Sequence, residues 1–166
     1  MSPKSNKISL SIIVSIYNVE KNVRACVECI FLQELDEEIF EVILINDGTE
    51  DKSMEMISDI ISSHSNIIVL NQQNQGLSIA RNNGMAIAKG YYILMVDSDD
   101  LLIKNSLKPL LAKAIETNVD IVVAEFTEIG SEEVEYHQPT NFNYKETNGR
   151  QLFLEGFKKL RLEQII

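Results

Sequence analysis

Short β-branched apolar runs alternate with stretches of helical period along this chain, and that alternation constrains its fold more than any other feature. Residues 9–16 (SLSIIVSI), 40–45 (FEVILI), 66–70 (NIIVL), 91–96 (YYILMV) and 120–124 (DIVVA) read as buried strands. Between them apolar residues recur at helical spacing. Val19, Val23, Cys26 and Ile30 mark a first helix. Met54, Ile57, Ile60 and Ile61 mark a second, with Thr49 or Asp51 as its cap. Leu77, Ala80, Gly84 and Ile87 mark a third. Leu107, Leu110, Leu111, Ala114 and Ile115 mark a fourth, with Pro109 in the first turn, where a missing N–H costs little. The alternation predicts an α/β fold: a doubly wound, mostly parallel central sheet with helices on both faces. After Ala124 the pattern weakens to strand-like runs at 126–129 and 134–136, then a helical pattern over 152–166. No Pro- or Gly-rich linker divides the chain, so one domain over 1–166 is expected.

Composition narrows the function. The chain has 166 residues, 45% hydrophobic and 24% charged, which suits one domain with a real core. No apolar stretch reaches the roughly 20 residues of a membrane span. The polar N-terminus MSPKSNK lacks a secretory signal pattern. With only two Cys, reduced thiols in a cytoplasmic setting are expected. Fifteen Lys and Arg against 25 Asp and Glu give a formal charge of −10, so no nucleic-acid partner is expected. Two Cys and two His cannot build a disulfide framework or a Cys/His zinc cage.

Ligands of open α/β sheets bind beyond the carboxyl ends of the parallel strands. Polar groups follow four of the strands: Ser15-Ile16-Tyr17-Asn18, Asn46-Asp47-Gly48, 71–76 (NQQNQG) and Asp97-Ser98-Asp99-Asp100. The last is the sharpest, because three carboxylates within four residues repel one another. A divalent cation would relieve that repulsion, and hard oxygen ligands suit Mg²⁺ or Mn²⁺. A solvated acidic turn opening the next helix is the plainer reading of those carboxylates alone. Tyr17 is either a surface aromatic or a platform for a base, and a carboxylate such as Asp47 can accept from a ring N–H. Asn46-Asp47-Gly48 in isolation is an ordinary turn. The segment from Gln75 to Gly84 opens a helix, where backbone N–H groups and Arg81 offer positive potential to a diphosphate. Arg81 alone could equally be a surface helix charge.

The pair Cys26 and Cys29 falls inside an amphipathic helix and not at its start, so it does not read as a redox motif, and Cys26 reads as core. His64 and His137 have no partner nearby in sequence and read as surface residues.

Taken together, SIIVSIYNVEKNV, FEVILINDGTEDKS and NQQNQGLSIARNNGMAIAKGYYILMVDSDD resemble the nucleotide-binding half of family 2 glycosyltransferases, which have the GT-A fold. The resemblance runs from about Ile8 to Ala124 and rests on the order, spacing and type of four motifs. It implies that Ser15 and Tyr17 contact the uracil or ribose of a nucleotide-sugar and that Asp47 reads the base. It places Arg81 beside the donor. It makes Asp97 and Asp99 a D-x-D motif: Asp97 on the ribose or a metal-bound water, Asp99 on a Mn²⁺ or Mg²⁺ ion bridging the diphosphate, with Asp100 accessory. The implied function is transfer of a sugar from a nucleoside-diphosphate donor, with UDP-sugar expected, to an acceptor hydroxyl with inversion. The acceptor would be a glycan, a lipid-linked species or a protein, with peripheral association at the inner membrane face and cell-envelope polysaccharide synthesis as family-level expectations.

Two departures matter. Asn46 stands where the family often has Asp. The family's downstream general base is also missing: Glu132, Glu133 and Glu135 do not match its motif, and Glu155 and Glu163 lie on the last helical pattern. No catalytic base is assigned. The expectation is a donor-binding half truncated before the acceptor and base region. Its terminal helix would expose Leu152, Phe153, Phe157 and Leu160 and could mediate oligomerisation. A second reading is a non-catalytic nucleotide-binding or interaction module that kept the fold. A haloacid-dehalogenase-type phosphatase is disfavoured because its Asp-x-Asp follows the first strand. A dinucleotide-binding oxidoreductase is disfavoured because no G-x-G-x-x-G follows the first strand.

Overall fold

The computed structural model describes residues 8–124. Its elements run β1 (Leu10–Ile16), α1 (Val23–Phe31), β2 (Phe40–Asn46), α2 (Ser53–Met56), α3 (Ser58–Ser63), β3 (Ile67–Asn71), α4 (Leu77–Ile87), β4 (Tyr92–Asp97) and α5 (Leu107–Thr117). The four strands form one sheet in the order β3-β2-β1-β4, with every neighbouring pair parallel. This bears out the α/β fold with helices on both faces.

Alternation along the central strands sorts the core. Leu10, Ile12, Val14 and Ile16 of β1 join Phe40, Val42 and Leu44 of β2 against Val23, Cys26, Val27 and Ile30 of α1. Leu107 and Leu111 of α5 and Ile60 of α3 complete that layer. On the opposite face Ile13, Ile43 and Ile45 pack against Ala80 of α4. Gly84 lets α4 come close: a Cβ there would lie 2.7 Å from Ile13 Cγ2 and 2.8 Å from Ile45 Cδ1. On the α4 side of β4, Ile93 and Met95 are exposed.

Several local expectations are corrected. The run 120–124 is not a strand: β4 ends the sheet among the described residues, and Ile121 and Val123 are 73% and 67% exposed. β-branched composition favours extended backbone, but a strand exists only where a neighbour takes its N–H and C=O groups. The second helix is two short ones broken at Ile57, which lies outside helical geometry at φ −118°. Lys52 holds the cap position of α2, while Asp51 accepts the Ser53 N–H at 2.9 Å. Of the apolar positions that marked the third helix, Ala80 and Gly84 are buried, but Leu77 and Ile87 are exposed. His64 is not a bare surface residue: its ring stacks on Phe31 and its Nδ1 lies 2.8 Å from Glu37. The runs at 126–129, 134–136 and 152–166, and His137, lie outside the described residues. No helix among the described residues is long and apolar enough to cross a membrane.

Candidate functional site

The chain runs outward from β1 through β2 to β3, then crosses back so that β4 lies on the other side of β1. The order therefore reverses between β1 and β4, and their carboxyl ends flank a crevice. Register pairs Ser15 with Asp97 at that crevice. The Ser15 hydroxyl is buried and has no hydrogen-bond partner. Buried polar atoms are nearly always satisfied, so a hydroxyl left unpartnered here is free to take a ligand group or a water.

Asp97 and the residues after it form a tight turn, closed by the Asp100 N–H donating to the Asp97 carbonyl at 2.9 Å. Ser98 is buried inside the turn, and the carboxylates of Asp97, Asp99 and Asp100 face outward. Arg81, in the first half of α4, donates from its Nη2 to Asp97 Oδ1. The fold thus brings Ser15, Arg81 and Asp97 together. Among the described residues, no group of three or more His, Cys, Asp or Glu converges as a closed metal cage. Two hard carboxylates on one turn still fit Mg²⁺ or Mn²⁺, which are commonly held by one or two carboxylates plus substrate phosphates.

Tyr17 is 44% exposed at the end of β1. The loop behind it is stitched to the loop after β2. Asn18, at φ +54°, donates its N–H to Thr49 Oγ1 at 2.7 Å and accepts the Glu50 N–H at 3.1 Å. Val19 N–H reaches Ser53 Oγ at 2.9 Å, and Glu20 N–H reaches Asp51 Oδ2 at 3.0 Å. Burial raises the Asp51 pKa, but hydrogen bonds from Ser53, Glu20 and Thr49 outweigh it and hold the carboxyl at about 2.

Asp47, the carboxylate that the resemblance makes the base reader, is enclosed by the loop after β3. It is 3% exposed. Its Oδ1 accepts from Gln72 Nε2 at 2.8 Å and from the Gln75 N–H at 2.9 Å, and its Oδ2 accepts the Gly76 N–H at 3.0 Å. Gly76 is the N-cap of α4, so this carboxylate organises the start of the helix that carries Arg81. Oδ2 keeps capacity for one more donor. Gly48 follows at φ +71°, where a Cβ would lie 2.8 Å from the Asn74 backbone nitrogen. Asn46, where the family often has Asp, donates from Nδ2 to Asn71 Oδ1 at 2.9 Å, a bond that a carboxylate at position 46 could not make.

Sequence reasoning missed Gln72 as an individual residue. Its amide is oriented by Asn83 Nδ2 at 2.7 Å and in turn holds Asp47. The polar string after β3 was the available signal, but nothing in it distinguishes Gln72 from its neighbours. Cys26 is free and buried, as its helical spacing suggests, and Cys29, which that spacing did not mark, is free and buried too. Burial foremost, with Cys29 and the acidic turn beside it, pushes the Cys26 thiol up to about 12. Burial raises Cys29 as well. Neither is an activated thiol.

A parallel sheet with an acidic turn and a paired arginine at its switch point is an open α/β domain of the kind that binds ligands beyond the carboxyl ends of its strands. The description "Glycosyl transferase family 2" matches residues 11–164, and this chain belongs to that glycosyltransferase family. It is 38% identical over 130 residues to "Uncharacterized glycosyltransferase EpsJ" of Bacillus subtilis (strain 168), covering 78% of this chain and 37% of that protein. It is 32% identical over 145 residues to "Glycosyltransferase GlyG" of Streptococcus pneumoniae serotype 4, covering 87% of this chain and 42% of that protein. Among solved structures it is similar to S. aureus TarS 1–349 in complex with UDP-GlcNAc, with a TM-score of 0.70 and 27% identity over 77% of this chain and 37% of that one. The chain thus spans less than half the length of these relatives.

Proposed function

We propose that this chain is the donor-binding half of a family 2 glycosyltransferase that takes a UDP-sugar in the β1/β4 crevice and presents it to an acceptor hydroxyl. The observation that carries the reading is the convergence of the orphaned Ser15 hydroxyl, Arg81 and Asp97 at the switch point. UDP is favoured as the nucleotide because TarS, 27% identical, has been solved with UDP-GlcNAc.

Each side chain has a task in this reading. Tyr17 stacks on the base, and the remaining lone pair of Asp47 Oδ2 accepts from a ring N–H. Ser15 and Asp97 hold the ribose. Arg81 exchanges part of its contact with Asp97 for the diphosphate, where its fixed charge opposes the negative charge that builds on the leaving group. Asp99, with Asp97, would hold a divalent cation. Bound there, Mn²⁺ or Mg²⁺ would supply neutralisation of the diphosphate. Inversion follows if the acceptor hydroxyl attacks opposite the leaving diphosphate. The base that takes its proton is not assigned, and Glu132, Glu133 and Glu135 lie outside the described residues.

The test is calorimetric titration of UDP, with GDP as control, with and without Mn²⁺, on wild type and Asp99→Ala. Binding of UDP that is strengthened by Mn²⁺ and loses that gain in Asp99→Ala is expected. A folded wild type that binds neither nucleotide refutes the reading and leaves an interaction module that kept the fold.

A further inference from the structure

The segment between β4 and α5 carries the D-x-D turn, yet it has little regular structure of its own. Asp99, Asp100, Leu101 and Ile103 in it are exposed. What fastens it is the far end of α1, more than sixty residues earlier in the chain.

Gln33 lies just beyond α1 and has no exposed surface. Its Nε2 donates to the Cys29 carbonyl and to the Ile103 carbonyl, each at 3.0 Å. Its Oε1 accepts the Leu107 N–H at 3.0 Å and the Ser106 hydroxyl at 3.3 Å. Leu107 opens α5, and the N-cap residue Ser106 makes no side-chain cap bond of its own. Gln33 therefore caps α5 from another element, satisfying one of the N–H groups that every helix start leaves open. The neighbouring contacts grip the same segment. Cys29 Sγ accepts the Leu102 N–H at 3.1 Å, the Leu32 carbonyl accepts the Asn105 N–H at 3.3 Å, and the Cys26 thiol donates to the Asp97 carbonyl at 3.5 Å. Both ends of the segment, Asp97 and Leu107, are thus tied to α1 and the residue just past its cap.

A buried amide with every donor and acceptor used is a poor candidate for mere space filling, because an apolar side chain of the same volume would fill the site without needing partners. Three of its four partners, the Ile103 carbonyl, the Ser106 hydroxyl and the Leu107 N–H, lie between the acidic turn and the start of α5, so what it determines is where that stretch lies against α1.

We propose that Gln33, assisted by Cys29, is a positioning residue that holds the D-x-D turn where its carboxylates would meet a divalent cation and the donor diphosphate. The proposal rests on the donor-site reading above. Gln33 touches neither donor nor cation. It acts through Ile103, Ser106 and Leu107, and Cys29 acts through Leu102.

The readout is the factor by which Mn²⁺ strengthens UDP binding, measured by calorimetry on the full chain as wild type, Gln33→Met and Cys29→Ala. Loss of a residue that only supports the fold weakens UDP binding with and without metal alike and leaves that factor unchanged. Loss of a residue that aims the turn lowers the factor itself. The expected result is a factor reduced by about tenfold in Gln33→Met and by a smaller amount in Cys29→Ala, in line with the cost of removing groups that orient metal ligands. If Gln33→Met does not melt cooperatively, Cys29→Ala carries the test. A wild type without any Mn²⁺ enhancement overturns the donor-site reading itself. A wild type with the enhancement, and folded variants that keep it in full, overturns the positioning role and leaves the donor site standing.

Discussion

Removing one hydroxyl at the amino-terminal end of the sheet, far along β1 from Asp97, should cost a substantial part of the stability. Ser11 is fully buried, and its hydroxyl donates to Glu41 Oε1 at 2.6 Å. The same hydroxyl accepts the Gly90 N–H at 2.8 Å, and Glu41 Oε1 also accepts the Lys89 N–H at 2.6 Å. This network joins β1, β2 and the turn that feeds β4. Gly90 is pressed against β1, where a Cβ would lie 2.3 Å from the Ser11 backbone nitrogen, so the turn cannot move in to compensate. Ser11→Ala removes a hydrogen bond to a charged acceptor, about 1.5–3 kcal/mol, and leaves the Gly90 N–H unpaired, about 1–3 kcal/mol. The volume change is one hydroxyl and adds little. The expected loss is about 3 kcal/mol against a total of roughly 5–15 kcal/mol for a domain. Urea denaturation of wild type, Ser11→Ala, Glu41→Gln and the double variant measures both the loss and the coupling. Glu41→Gln keeps the acceptor but not its charge, so it should lose less than Ser11→Ala. UDP affinity should stay unchanged in Ser11→Ala. A loss under about 1 kcal/mol, or additive single variants, would refute the claim that these groups form one buried network.

The thiols offer a second check. With Cys26 at about 12 and Cys29 also raised, both should resist a thiol reagent at mildly alkaline pH in the native protein and react when it is unfolded. Rapid labelling of either under native conditions would contradict their buried, neutral setting. Acid stability offers a third. Hydrogen bonds from Arg24 hold Asp59 at about 2, and Asp51 is held as low by its loop partners. Both lie below the ordinary value of 3.8, so their contribution is present above that value and disappears as the pH falls through about 2. The gap in urea midpoint between wild type and Asp59→Asn should therefore close on acidification to about pH 2. A gap of constant size would show that the Arg24 contact adds nothing that depends on the charge.

Features set by short-range interactions leave a pattern in the sequence, and those set by long-range ones do not. Continuous β-branched runs located β1 to β4 because burial on both faces of a parallel strand leaves a local pattern. Helical spacing located α1, α4 and α5 for the same kind of reason. The acidic turn was legible because it follows β4 directly. The same local logic failed at 120–124, where a strand-like composition has no strand beside it. It also failed at Ile57, where one apolar helical pattern hides a break.

The sequence by itself determined the types of β1 to β4, α1, α4 and α5, the parallel α/β class and the sheet edge on which the polar groups gather. Each of these follows from backbone sterics and side-chain burial within a few residues. Tertiary structure alone decided the strand order β3-β2-β1-β4, and with it the meeting of Ser15 and Asp97. It also decided that Asp47 is enclosed by Gln72, Gln75 and Gly76, that Arg81 pairs with Asp97, and that Gln33 holds the segment behind the acidic turn. These contacts join residues from different elements, from 16 to 82 positions apart in the cases of Arg81 with Asp97 and Ser15 with its sheet partner. No periodicity records such pairings, because they exist only once the sheet has closed and buried polar groups have found the donors and acceptors that burial demands.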